Sequence, residues 1–367
     1  MKSHYSRRDF LKLAGLGLGS LAFQSPDRLR PLPQFPAGDS LGRVLAKVDV
    51  KAAPNDDINT PTVSTLYEDA VVEWAREVVP SRGLFNVTYI NQRFVETPGG
   101  FIRSSFVQPV KNSPNAPLTA MPEGKTGFWA EVTVPFVDLI LDGPAISPWV
   151  KDRIVYNLPP RLYYSQIAWI DQIRVDGATT LYRFNEDPGH GYGYGDIFWA
   201  DGAGFRPLTQ DDVSPINPEV DPAIKKVYVD ATSEYQTLQC FEGTTEVYFC
   251  RISTGYKSEN FATPLGEQTT WRKALSIHMA GGTTGAGFDT PAIPWTTLFN
   301  PAGMAVHGAF WHNDFGTPRS HGCVNAHPED AKWVFRWTNP NVTLEQSDIT
   351  LEWPNGGTHV IVDEERV

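Results

Sequence analysis

Val306-His307-Gly308 and, after a spacer, Arg319-Ser320-His321-Gly322-Cys323-Val324-Asn325 form the stretch on which the reading of this chain turns. Chemistry is concentrated here as nowhere else in the sequence. Cys323 stands two residues after His321 and sixteen after His307, and Gly308 and Gly322 flank the reactive residues. A thiol attacks only as thiolate, and an ordinary cysteine, with a pKa of about 8.5, is mostly protonated near neutrality. A histidine within hydrogen-bond reach can take that proton and later return it. Gly322 permits a tight turn, which would aim its own N–H and that of Cys323 at a developing oxyanion. The residues read as a cysteine acyl-transfer site. His307 is the base, and Ser320 and His321 support the turn or orient the base.

Histidine-glycine, a short spacer, then Ser-His-Gly-Cys-Val-Asn resembles the signature of the L,D-transpeptidase catalytic domain (YkuD-like). That signature is a histidine, a spacer, Ser or Thr, His-Gly-Cys, a hydrophobic residue, and Asn or Arg. Every position is met here. The resemblance spans residues 216–367 and says little about the chain before them. It implies a sandwich-like β catalytic domain with Cys323 as nucleophile and His307 as base. It also implies a substrate, the stem tetrapeptide of peptidoglycan. That peptide would be cut between its third residue and terminal D-alanine and joined to the third-residue amine of another stem, giving 3-3 cross-links. Gly308, Asn325, Met279 and Trp295 are the implied substrate-binding positions, and Tyr256 is a further candidate contact. In the resembling family, the counterpart of residues 279–304 is a flexible lid, and such lids gate entry and exclude water.

Other readings use the same residues. A cysteine between Gly and Val can be a buried structural thiol, since free cysteine is among the most buried residue types. His307, His312, His321 and Cys323 carry nitrogen and sulfur of the kind zinc takes, but their spacing fits no common zinc pattern. No metal and no cofactor is expected. His312 and His327 fall outside the signature and read as surface or supporting histidines. A hydrolase of the same fold would cleave rather than cross-link. A sortase-like enzyme would want an arginine downstream of its cysteine. Arg336 is available, yet the Ser-His-Gly-Cys turn is not sortase-like. A wall-binding protein without catalysis would leave His307 and Cys323 unexplained.

The elements around the motif follow the same domain order. Lys226-Val227-Tyr228-Val229-Asp230 predicts a strand, and residues 236–241 and 246–251 predict a hairpin about Glu242-Gly243-Thr244-Thr245. Ser253-Thr254-Gly255, the turn Thr263-Pro264-Leu265-Gly266 and a strand over 271–279 come next. Residues 328–337 are the best helix candidate. Proline opens the segment, Glu329 and Asp330 occupy its first turn, and residues 331, 334, 335 and 337 are apolar. Cys240 and Cys250 lie on facing hairpin arms, so a cross-strand disulfide and two reduced core thiols are both open. The glycine-rich run from Met279 lacks the Gly-Lys-Ser/Thr and the strand-to-helix setting of a phosphate loop.

Composition sets the wider frame. A chain of 367 residues has room for two or three domains. Thirty-one glycines, 30 prolines and 12% aromatics favour short strands and turns over helical bundles. A net charge of −11 with no long basic run argues against nucleic acid and anionic polymers as partners. Ser6-Arg7-Arg8-Asp9-Phe10-Leu11-Lys12 and the apolar run 13–23 resemble a twin-arginine export signal. Export places the protein in the cell envelope. The run is too short and too glycine-rich for a comfortable span, but left uncleaved it would serve as a membrane tether.

The expected fold class is mostly β, with the catalytic domain preceded by one or two small SH3-like barrels. Residues 1–40 read as signal and linker, 41–115 as a first β domain, 120–213 as a second, and 216–367 as the catalytic domain. The 42–50 segment alternates apolar and polar residues as one half-buried strand would. Residues 94–103 read as a hairpin that resembles the last hairpin of a bacterial SH3-like domain. Gly204-Phe205-Arg206-Pro207-Leu208 parallels Gly100-Phe101-Ile102-Arg103-Ser104, so 120–213 reads as a diverged second copy. Tyr163, Tyr164 and Trp169 would form either a sugar-stacking platform or part of a barrel core. Residues 188–195 read as a mobile loop carrying a solvated His190.

Overall fold

The motif stands in a ten-stranded sheet that draws on residues 225–363. The computed structural model describes residues 31–81, 83–86, 88–186, 195–232, 234–258, 260–281 and 287–364. The twin-arginine segment and His190 lie outside them. Sheet order is Gly266–Thr269, His359–Asp363, Lys225–Asp230, Thr237–Glu242, Thr245–Ser253, Val324–Ala326, Ala305–Gly308, Phe288–Leu298, Arg272–Gly281 and Asp348–Thr350. Two neighbours are parallel: Lys225–Asp230 with His359–Asp363, and Ala305–Gly308 with Val324–Ala326. Parallel strands cannot be joined by a tight hairpin turn. The connection over 309–323 is therefore long, and the Ser-His-Gly-Cys turn lies at its end.

The core follows from alternation. Along Lys225–Asp230 every second side chain is buried, and Val227 and Val229 meet Leu238, Ile252, Val306, Val324, Val360 and Val362 in one cluster. The helix Pro328–Trp337 closes that cluster with Ala331, Val334, Phe335 and Trp337. Its bounds are those the sequence predicts, with proline and two carboxylates at the N-terminal turn. Lys225 donates to Trp337 O (3.2 Å) and Lys273 to Thr338 O (2.8 Å), so two lysine side chains satisfy carbonyls at the helix C-terminus. Trp295 packs on this helix, 5.4 Å from the Phe335 ring and 1% exposed. The assignment of Trp295 to substrate binding is therefore corrected. It is a core residue at a positive φ of 56°.

Cys240 pairs with Tyr248 and Cys250 with Leu238, so the two cysteines are not directly opposite. Both are buried, and neither is in a disulfide.

Several small β units precede this domain. Residues 42–50 do not form one strand. Leu41–Val44 joins Val71–Glu73 and Val107–Val110, while Val48–Lys51 joins a second sheet with Thr62–Leu66 and Gly100–Arg103. The break has a physical reason. All four residues of Leu41–Val44 are buried, including Arg43, whereas the second strand is half-buried. The 94–103 hairpin forms with Thr97 paired to Gly100. The six-stranded sheet of the next unit runs Ile140–Leu141, Ile197–Asp201, Thr179–Asn185, Ile167–Asp176, Phe128–Val132, Phe205–Pro207.

The two units share a strand, a 3-10 turn and a strand. In one these are Gly100–Arg103, Ser104–Phe106 and Val107–Val110; in the other, Ile197–Asp201, Gly202–Gly204 and Phe205–Pro207. The sequence parallel of Gly204-Phe205 with Gly100-Phe101 therefore pairs different strands. Two of the three aromatics pack rather than form a platform. Trp169 packs edge-on against Trp129, and Tyr163 stacks on Phe310. Trp129, Ile167, Leu208 and Val213 belong to the same apolar cluster as the ten-stranded sheet.

Candidate active site

Two adjacent parallel strands place the chemistry. Val306 and Val324 are register partners, 2% and 0% exposed, and point into the core. Side chains alternate along a strand, so His307 and Asn325, also register partners, project to the other face. Cys323 lies immediately before the strand Val324–Ala326, in the turn that leads into it.

His307 is 2% exposed, and its Nδ1 lies 3.3 Å from Gly308 O. A carbonyl can only accept, so the proton sits on Nδ1 and Nε2 is left as the basic atom. Burial pushes the imidazolium pKa down to about 4, against the Gly308 carbonyl, which pulls it up. Burial likewise pushes the Cys323 thiol up to about 11, partly offset by a backbone hydrogen bond from Ala305. The thiol reaches Gly303 O at 3.9 Å. At rest the thiol and the imidazole are thus both neutral.

The turn is held from three sides. Ser320 Oγ accepts from Gly322 N–H (3.1 Å) and donates to Cys323 O (2.5 Å). Thr263 Oγ1 accepts from Gly255 N–H and donates to Gly322 O, each at 2.9 Å. A bridge pairs Gly255 with Ser320, and a Cβ on Gly255 would meet Phe261 O at 1.8 Å. Gly322 sits at φ +119°, and a Cβ there would strike Met304 Sδ at 2.5 Å, so only glycine fits. The expected oxyanion role of the Gly322 N–H is corrected, because Ser320 already engages it. The Cys323 N–H is the remaining donor of that pair.

Other sequence-derived positions separate. Gly308 is buried, and a Cβ on it would meet Pro294 Cγ at 2.9 Å. It is a packing position that supplies the His307 acceptor, not a substrate contact. His321 lies between Phe261 (4.4 Å) and Phe288 (5.3 Å) rather than against His307. Met279 is half-buried on Arg272–Gly281, paired with Thr290 of Phe288–Leu298. The described part of the expected lid, 279–304, is the end of one hairpin arm and the whole of the other, Phe288–Leu298, whose Phe288 reaches the His321 ring. Tyr256, 42% exposed, donates its N–H to Ser320 O (3.0 Å) beside the turn.

Sequence reasoning missed Trp311 and left His312 as a surface or supporting histidine, without the partner it has here. Trp311 is 38% exposed with its ring 5.7 Å from His307, and His312 Nε2 is 2.9 Å from Asn325 Nδ2. Their only sequence signal is position inside the His-to-Cys spacer. Among the described residues no group of three His, Cys, Asp or Glu side chains is placed to hold a metal ion.

Residues 225–362 match the family described as the L,D-transpeptidase catalytic domain, YkuD. No curated protein matches the chain. Similar solved structures include a variant of the Enterococcus faecium L,D-transpeptidase, at 20% identity and a TM-score of 0.30, covering 39% of this chain and 51% of that one. The L,D-transpeptidase from Stackebrandtia nassauensis is 22% identical with a TM-score of 0.27, covering 43% of this chain and 62% of that one. That from Mycobacterium smegmatis is 15% identical with a TM-score of 0.29, covering 53% and 98%. The chain thus spans about half of the Enterococcus faecium chain and under two thirds of the Stackebrandtia nassauensis chain. On the family match and the motif it contains, residues 225–362 are an L,D-transpeptidase catalytic domain.

Proposed function

We propose that the protein is an exported peptidoglycan L,D-transpeptidase that forms 3-3 cross-links through a Cys323 thioester. The observation that carries this is the register pairing of His307 with Asn325, two residues past Cys323, across two parallel strands, with Nδ1 tied to Gly308 O and Nε2 left as base. Cys323 Sγ attacks the carbonyl between the third stem residue and terminal D-alanine while His307 Nε2 takes the thiol proton. The tetrahedral oxyanion is met by the Cys323 N–H. Its collapse breaks the C–N bond, and the imidazolium returns the proton to the departing D-alanine amine. An acceptor amine then attacks the thioester, gives its proton to His307 Nε2, and restores the thiol as the new amide forms. Water in place of the amine would make the same site a hydrolase.

The N-terminal Arg7-Arg8 signal would carry the chain to the cell envelope by the twin-arginine route. Retained, that segment would tether it to the membrane.

Intact mass after incubation with a carbapenem tests the nucleophile. One adduct on wild type and none on Cys323→Ala is expected. A folded, reduced wild type without an adduct would sink the reading. Product analysis with tetrapeptide muropeptides then separates cross-linking from hydrolysis.

A further inference from the structure

The segment Phe310-Trp311-His312-Asn313-Asp314 takes no part in the steps above, yet it reaches the site. His312 Nε2 lies 2.9 Å from Asn325 Nδ2, and His312 Nδ1 faces the backbone N–H of Asp314 at 3.4 Å. With the amide in that orientation both ring nitrogens would have to accept. A neutral imidazole offers one acceptor and one donor. The same orientation leaves Asn325 Oδ1 buried with no donor. The amide oxygen and nitrogen are nearly isosteric, and their assignment follows from the hydrogen-bond network. Turning the amide over gives the ring one acceptor and one donor role, pairs Oδ1, and passes the unpaired position to Nδ2. His312 Nδ1 then accepts from Asp314, Nε2–H donates to Asn325 Oδ1, and Nδ2 occupies the position that no donor reaches. The ring is neutral, because burial, helped by the charge of Arg319, pushes its pKa down to about 3. Asn325 is 1% exposed, is the register partner of His307, and stands two residues past Cys323.

We propose that His312 is a positioning residue whose Nε2–H holds the Asn325 amide so that Nδ2 donates to the acyl carbonyl carried by Cys323. The segment bearing His312 is fastened on both sides by the first β unit. Arg43 Nη2 donates to Phe310 O (2.8 Å), and Asn313 Nδ2 donates to Ser104 O (3.1 Å) and Val107 O (2.9 Å). The inference rests on the reading of Cys323 as an acyl-accepting nucleophile.

Two measurements test it. Long-range proton–nitrogen NMR of resting wild type, with the His312 signals identified by their loss in His312→Ala, reads the tautomer without any reaction. Hydrogen on Nε2 is expected, and hydrogen on Nδ1 would overturn the proposal. Carbapenem acylation of His312→Ala, Asn325→Ala and the double variant forms a cycle. Each single change should slow acylation, by about a hundredfold for loss of one carbonyl donor, and the double should be no slower than the worse single. Multiplying effects, or wild-type rates in His312→Ala, would refute the coupling. A wild type that takes no adduct fails the underlying reading instead, and the tautomer result still stands or falls alone.

Discussion

At the scale of single residues, the neutral state of Cys323 and His307 has a consequence for pH. The thiol is pushed up to about 11 and the imidazolium down to about 4. Between those values no thiolate is waiting, and the proton moves only as the bond to sulfur forms. Iodoacetamide, which consumes thiolate, should therefore alkylate Cys323 at a rate that climbs steadily with pH up to about 11. Carbapenem acylation uses His307 as base, so it should be flat across neutrality and fall as pH drops through about 4, where the base is protonated. A plateau of alkylation beginning near pH 6 would reveal a standing thiolate–imidazolium pair and defeat this account. Cys323 and His307 stand out as candidate nucleophile and base from the motif because few other settings place His, Gly and Cys so. The engagement of the Gly322 N–H by Ser320 is not, since it depends on a hydroxyl rotamer in a turn.

Among the elements, the Pro328–Trp337 helix is readable because every local signal agrees: proline, first-turn carboxylates and an apolar stripe. The first arm of the next hairpin, Arg272–Gly281, is readable too, but its second arm, Phe288–Leu298, is not, because glycine and proline hide the strand and its partner is remote in sequence. That partner is Glu186. His278 on one arm contacts Asp289 Oδ1 on the other (2.5 Å) and Glu186 Oε1 of the preceding unit (3.4 Å). Burial alone would lower the His278 pKa, but the two carboxylates outweigh it and raise it to about 9. A histidine pKa above its ordinary value of about 6.5 contributes stability that is complete below that value. The contribution is lost as pH rises through about 9. His278→Gln should therefore cost about 3 kcal/mol at pH 6. Thermal melts should show the gap to wild type shrinking by pH 10, and a gap that stays constant with pH would contradict the charge argument.

On the scale of the whole molecule, the first β unit and the catalytic segment share one buried cation. Arg43 is 3% exposed. It donates to Gln108 Oε1, to Asp69 Oδ1 at 2.8 Å and to Phe310 O at 2.8 Å, and its guanidinium lies 4.0 Å over the Tyr163 ring. Four separate stretches of chain thus meet on a single side chain. Their sequence separation, 267 residues between Arg43 and Phe310, is why no local pattern announces it. Arg76 in the same unit also pairs with a carboxylate, Glu96, but its side chain is 71% exposed. Burial separates the two cases. Removing one partner of a buried, hydrogen-bonded ion pair costs about 3–5 kcal/mol, whereas an exposed pair contributes about 0–1 kcal/mol. Arg43→Ala should lower the melting temperature by many degrees. It should also slow carbapenem acylation of Cys323, because the Phe310 carbonyl that anchors the Trp311–His312 segment loses its donor. Arg76→Ala should leave both unchanged within error. Equal effects from the two variants, or an Arg43→Ala protein that melts lower but is acylated at the wild-type rate, would show that the first unit stabilises the chain without shaping the site.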